Sequence, residues 1–210
     1  MDGHITSMAK PSNRDKILAA GLQVVHTRGL SSASVRDIVA AAGVPQGSFT
    51  NHFGSKDAFA LEVLDLYAAA GAPLLDATLR NPGLAPLARL TAYLQTARSA
   101  FDPARGCMLG NFGAELAECS EALRQRLAQI LDATQTALAA CLDAAVAAGE
   151  LAPLDAPAMA SFILSGLQGA TLMAKIAQSP EPMDTFARLL LQTVLQPAPA
   201  AQTTPVHINA

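Results

Sequence analysis

Residues 34–56 read SVRDIVAAAGVPQGSFTNHFGSK, which parses as a short helix, a four-residue turn and a second short helix. Ser34 caps the first helix, with Asp37 three residues on at the spacing of a capping box. Val35, Ile38, Val39 and Ala42 recur on one face at helical period. Gly43 ends that helix. Pro45 suits the first turn of the next, because it needs no amide partner there and its φ is already helical. The second helix carries Gln46, Ser48, Thr50, Asn51 and His52 as a small polar set, while Phe49 and Phe53, four apart, anchor it to a core. Two short helices at a sharp angle, the second polar and small on its outer side, are what a DNA major groove admits.

Working outward, the spacing predicts a buttressing helix from Ser12 to Arg28, with Ile17, Leu18, Leu22 and Val25 inward and Gly29 as its stop. Gly54, Ser55 and Lys56 lead into a longer helix over 57–80, which would set Lys56 at a phosphate. Further helices are expected at 84–101, 106–118, 120–149, 155–178 and 182–196. The N-terminal residues 1–11 and the tail 197–210 lack periodic apolar positions and are expected to be disordered. The reading is therefore an all-α chain with a three-helix head over 12–56 and a helical body over 57–196. The last two helices are apolar on more than one face (Phe162, Ile163, Leu164, Leu167, Leu172, Met173, Ile176, then Phe186, Leu189, Leu190, Val194), which invites a partner chain.

Composition agrees. The chain has 210 residues, 51% of them apolar and only 4% aromatic, enough to bury a core and biased toward helix. The net charge of −3 is unevenly divided, though modestly: the first 60 residues hold six Lys and Arg against four Asp, and the remainder holds eight against thirteen Asp and Glu. Positive potential thus lies where a phosphate backbone would. Every candidate membrane span reads as interrupted by charge, Pro or Gly, and MDGHITSMAK lacks a secretory apolar core, so a cytoplasmic chain is expected. Cys107, Cys119 and Cys141 fit neither a structural disulfide in a reducing compartment nor a zinc site by spacing, and no metal or cofactor is expected.

Gly29 followed by the run from Ser34 to Phe59 resembles the DNA-binding head of the TetR family of bacterial transcriptional regulators. The resemblance implies that Ser34, Arg36, Gln46, Ser48, Thr50, Asn51, His52 and Lys56 face double-stranded operator DNA, that the final two helices form a homodimer, and that the operator is palindromic. It also implies that the helix after Lys56 moves when an effector binds. Two positions depart from the family pattern: Gln46 stands where lysine is common and Thr50 where a tyrosine commonly touches a phosphate, which weakens backbone anchoring.

In the body, Cys107 lies near a helix start with Arg105 two residues before it, both features that favour thiolate. The plainer alternative is a small buried hydrophobe. The segments GCMLGNFGAELAECSEALRQR (106–126) and LMAKIAQSPEP (172–182) are similar to a branch of the family that includes the N-ethylmaleimide reductase repressor and the acrylate-responsive regulator. That likeness implies a response to reactive carbonyls, quinones, chlorine oxidants or acrylate-like ligands. Gln168, Thr171 and Lys175 share one polar stripe on an apolar helix and are read with Arg105, Cys107 and Asn111 as the effector site; the alternative for Lys175, in the last turn, is that it favours the negative end of the helix dipole and snorkels to water. Cys119 is a candidate resolving thiol, Cys141 a core residue, and His26 an ordinary helix surface residue. Competing functions are a non-covalent ligand regulator, a thiol enzyme built on Cys107, for which no acid/base partner is evident, and a helical interaction module that has lost DNA binding.

Overall fold

A computed structural model of the chain describes residues 12–115 and 120–197. The expectations for 1–11, for the tail beyond Pro197 and for Cys119 fall outside the described residues. The helices are α1 (Asn13–Arg28), α2 (Val35–Ala42), α3 (Gly47–Phe53), α4 (Lys56–Ala77), α5 (Pro86–Ser99), α6 (Met108–Glu115), α7 (Glu121–Ala147), α8 (Ala156–Ala177) and α9 (Glu181–Leu189). The architecture is all-helical, with a helix-turn-helix head and a C-terminal bundle.

Local chemistry explains the starts and stops. Ser12 with Asp15 and Ser34 with Asp37 form complete capping boxes on α1 and α2, and the hydroxyls of Ser55 and the carboxylate of Asp155 cap α4 and α8. Gly43 closes α2 in the left-handed region at φ +63°, where a side chain would be strained. The chain end differs from the expected single helix: after Leu189 it widens into a π-helical turn, Leu190–Val194, and Leu195 donates to the Leu190 carbonyl at 2.9 Å. Beyond it Leu151 and Pro197 form an isolated antiparallel bridge.

Two apolar cores result. The N-terminal one joins Ile17, Val25, Ile38, Phe49, Phe53, Phe59 and Val63 to Met108 and Phe112 of α6 and to Leu123, Leu127 and Ile130 of α7. The head is therefore packed on α6 and the first half of α7, not carried by α4 alone. Phe49, Phe53 and Phe59 meet as a triad with ring centroids 5.2–5.3 Å apart, which fixes the angle between α3 and α4. The C-terminal core gathers α5, the second half of α7, α8 and α9.

One expectation is corrected. Among the described residues three helices, α4, α7 and α8, are long and apolar enough to cross a membrane by length and composition. Their apolar character comes from alanine and from core faces that pack within the bundle, so the interruptions expected from charge and Pro/Gly are fewer than the reading assumed. On α8, Phe162, Leu172, Met173 and Ile176 are each more than half exposed, and Leu189 and Val194 are also exposed at the chain end. Gly166 admits the Phe186 ring of α9, whose Cε2 lies 2.4 Å from where a Cβ would sit, whereas Gly169 faces open space.

Candidate nucleic-acid interface and effector cavity

The head presents α3 with Phe49 and Phe53 inward and Thr50, Asn51 and His52 exposed; Ser48 is half-buried. Gln46 is exposed at the N-cap position of α3 and makes no capping bond. Arg36 is exposed on α2. Ser34 is engaged in its cap, accepting from the Asp37 amide at 3.1 Å, and Lys56 donates to the Ser31 carbonyl at 3.3 Å. Arg28 pairs with Asp37 at 3.4 Å, which tethers the end of α1 to α2. The capping bonds hold the Asp37 carboxyl below its ordinary range, so it stays ionised.

The second site lies where the two cores meet. Cys107 immediately precedes α6, and its carbonyl accepts from the Asn111 amide at 3.0 Å. A cavity of about 100 Å³ opens beside it, walled on the α6 side by Gly106, Cys107, Gly110 and Asn111 and on the α8 side by Thr171, Leu172 and Lys175. Lys175 does not snorkel away: it lies across Gly106, its Cδ 3.0 Å from where a Cβ would sit, and its Nζ donates to Asn111 Oδ1 at 3.5 Å. Gly106 needs to be glycine twice over, for this approach and for its φ of +68°. Thr171 donates back to the Leu167 carbonyl at 2.7 Å. The buried Gln168 Oε1, beside Gly110, has no hydrogen-bond partner, an acceptor that a ligand could satisfy.

The expected roles need two corrections. Arg105 turns away from the role assigned to it: its guanidinium pairs with Asp102 at 3.2 Å and donates to Gln23 Oε1 of α1 at 2.6 Å. A nearby carboxylate competes for it more strongly than a neutral thiol does. His26 is not a surface residue; it is half-buried, with Nε2 3.0 Å from the Gly106 carbonyl oxygen and its ring edge-on to Tyr67 at 5.9 Å.

Sequence reasoning missed the aromatic surroundings of Cys107. Burial, then the neighbouring Cys107 thiol, push the Tyr67 phenol of α4 well above its ordinary range. Tyr93 of α5 approaches from the other core, and burial followed by Cys107 pushes it up to about 12. These are the only tyrosines in the chain, each on an apolar helix face, and a buried phenol seeks a polar partner; that signal was available. Glu115, at the far end of α6, accepts from the Ser31 amide at 2.8 Å and lies against Gly29, so α6 touches the head at both ends. Cys141 is buried and donates to the Pro86 carbonyl at 3.2 Å, and burial pushes its thiol up.

With this geometry in place, the chain can be set beside known proteins. Residues 17–63 match the family of bacterial regulatory proteins, tetR family, and residues 86–190 match the tetracyclin repressor-like C-terminal domain. The chain is 34% identical over 189 residues to the HTH-type transcriptional repressor DhaR of Mycobacterium sp. (strain GP1), covering 90% of this chain and 95% of that one. It is 36% identical over 176 residues to the transcriptional regulator AcuR of Cereibacter sphaeroides, covering 82% and 80%. The structure of Escherichia coli NemR in its reduced form superposes with a TM-score of 0.81 and 26% identity, covering 90% of this chain and 98% of that one.

Proposed function

The chain belongs to the TetR family of transcriptional regulators, and from that premise we propose that it is a homodimeric repressor released from a palindromic operator when a small electrophile adds to Cys107. The observation that carries this reading is the placement of a thiol in the wall of a small cavity, directly at the start of the helix that touches the head at both ends. A site of about 100 Å³ has room for roughly three water-sized groups at ~30 Å³ each. That is the size of a short activated alkene or carbonyl.

The chemistry is an addition. The Cys107 thiolate sulfur bonds to the β-carbon of an activated alkene, the π pair moves to the α-carbon, and a proton from solvent quenches it there. Lys175 and Asn111 supply charge and a hydrogen-bonding amide for the polar end of such a molecule. The adduct fills space that α6 borders, and displacement of α6 strains the contacts His26–Gly106, Gln23–Arg105 and Ser31–Glu115 that hold α1 and its following turn. Release follows only because the adduct fits one arrangement of α6 better than the other.

Operator contact is assigned to Arg36, Gln46, Ser48, Thr50, Asn51, His52 and Lys56, with Ser34 holding the start of α2. The exposed apolar face of α8, with Leu189 and Val194, is assigned to the second copy, so that two heads meet adjacent half-sites. As a DNA-binding regulator the protein works in the cytoplasm.

A second reading has its own support: Lys175, Asn111 and the unpartnered Gln168 Oε1 suit a small ligand held without a covalent bond. Intact mass after exposure to a quinone and to acrylate, paired with operator release for wild type and Cys107→Ser, separates the two. Adduct formation with release lost in Cys107→Ser supports the covalent reading; release without mass gain, retained in Cys107→Ser, overturns it.

A further inference from the structure

We propose that Glu115, at the end of α6, is a positioning residue for operator binding: it holds Ser31, and through Ser31 it sets Lys56 against the DNA backbone. The inference rests on the assignment of Lys56 to an operator phosphate and is independent of the chemistry at Cys107.

Ser31 lies in the turn between α1 and α2, a turn whose Leu30 and Ala33 are buried. Ser31 itself is exposed, yet both of its backbone polar groups are taken by side chains from distant parts of the chain. Its amide donates to Glu115 Oε2 at 2.8 Å, and its carbonyl accepts from Lys56 Nζ at 3.3 Å. The Glu115 carboxylate also fills the space that a Cβ on Gly29 would take, at a φ of +83° that already favours glycine. The last residue of α6 is thereby joined to the first residue of α4 through one residue of the head.

Lysine is a flexible cation, and ordering its stem costs rotamer entropy that a phosphate contact must offset. In Lys56 part of that ordering is already made. One N–H of the ammonium rests on the Ser31 carbonyl, which leaves the others for a phosphate oxygen. This support is only as fixed as Ser31. On an exposed turn an amide bonded to water lets the neighbouring carbonyl swing, whereas a charge-assisted bond to a carboxylate holds it.

Charge by itself predicts the opposite sign. A carboxylate close to the head repels phosphate, so loss of Glu115 would strengthen binding if its charge were all that mattered. Positioning predicts weaker binding, carried by Lys56.

The test uses the full-length protein and one fluorescein-labelled duplex, selected from a random-sequence pool by the wild type. Dissociation constants are measured by anisotropy over a series of salt concentrations. Lys56→Met should weaken binding at least about fivefold and reduce the slope of log Kd against log salt by about one per head. Glu115→Ala should weaken it at least about threefold, with a smaller slope than the wild type, and should have no further effect once Lys56 is Met. Glu115→Gln, which keeps an acceptor oxygen for the Ser31 amide, should bind as tightly as the wild type or more so. Glu115→Met, similar in length but without an acceptor, stands in for Glu115→Ala if that protein does not fold. Unchanged or tighter binding by Glu115→Ala overturns the proposal, as does an equal loss in Glu115→Gln or a loss of the same size in the Lys56→Met background. A Lys56→Met protein with the wild-type affinity and slope is a different failure: it sinks the assignment of Lys56 to the backbone, and this inference with it. A pool that yields no duplex sinks the operator reading as a whole.

Discussion

The imidazole Nε2 of His26 lies 3.0 Å from the carbonyl oxygen of Gly106, joining the first helix of the head to a loop eighty residues further along the chain. The bond is local to neither helix, and it sits one peptide away from Cys107. It ties the head directly to the loop that precedes α6. Arg105 with Gln23 and Glu115 with Ser31 repeat the connection on either side.

Replacing His26 with Leu removes that bond and keeps an apolar side chain of similar bulk. The Gly106 carbonyl loses its partner, so stability should fall by about 1 kcal/mol. Operator affinity of the untreated protein should fall with it, because α1 is held less firmly. Urea unfolding and anisotropy at fixed salt measure the two effects; unchanged values in both would show that the contact is incidental.

Thiol reactivity should separate cleanly. Cys141 is buried, donates to the Pro86 carbonyl and has its thiol pushed up by burial, whereas Cys107 lines a cavity. In the native protein iodoacetamide should label Cys107 at least about tenfold faster than Cys141, the difference vanishing in denaturant. Peptide mapping over time decides, and equal native rates would contradict the placement of the cavity.

The head should soften in acid. Asp15 and Asp37 each accept from the Ser that begins their helix, and those bonds hold both carboxyls below the ordinary value of 3.8. With folded values below unfolded ones, their contribution is present in full above about pH 4 and is lost as pH falls through the lowered values. Ser34→Ala should cost roughly 1 kcal/mol at neutral pH and flatten part of the loss of stability as pH falls below about 4. Denaturant midpoints across that range provide the check. A Ser34→Ala protein with the full wild-type slope would mean the box is not what titrates.

Two helical glycines should respond in opposite directions to the same substitution. At Gly21 a Cβ would lie 2.2 Å from Phe59 Cζ and 3.3 Å from Ile38, at the closest approach of α1 to α4, so Gly21→Ala should cost about 2 kcal/mol. At Gly71 of α4 a Cβ meets nothing within 4 Å, so Gly71→Ala should be neutral or stabilise by about 0.5 kcal/mol. Thermal unfolding of the pair distinguishes close packing from general intolerance of change.

Much of this molecule is decided along the chain itself. Ser34 with Asp37, the stop at Gly43, and Phe49 with Phe53 define the helix-turn-helix by contacts within four residues, and the polar stripe of Gln168, Thr171 and Lys175 follows from helical period alone. Those features depend on local dihedrals and short-range bonds, which neighbouring residues carry. What surrounds Cys107 does not. His26, Tyr67, Tyr93 and Glu115 come from four helices, and each reaches the surroundings of Cys107 or the head only because packing of the two cores sets helix against helix. The same packing brought Gln23 of α1 to the Arg105 guanidinium, which is also paired with Asp102 three residues before it. Periodicity tells which face of a helix is buried; only the assembled core determines which residue of another helix that face will meet.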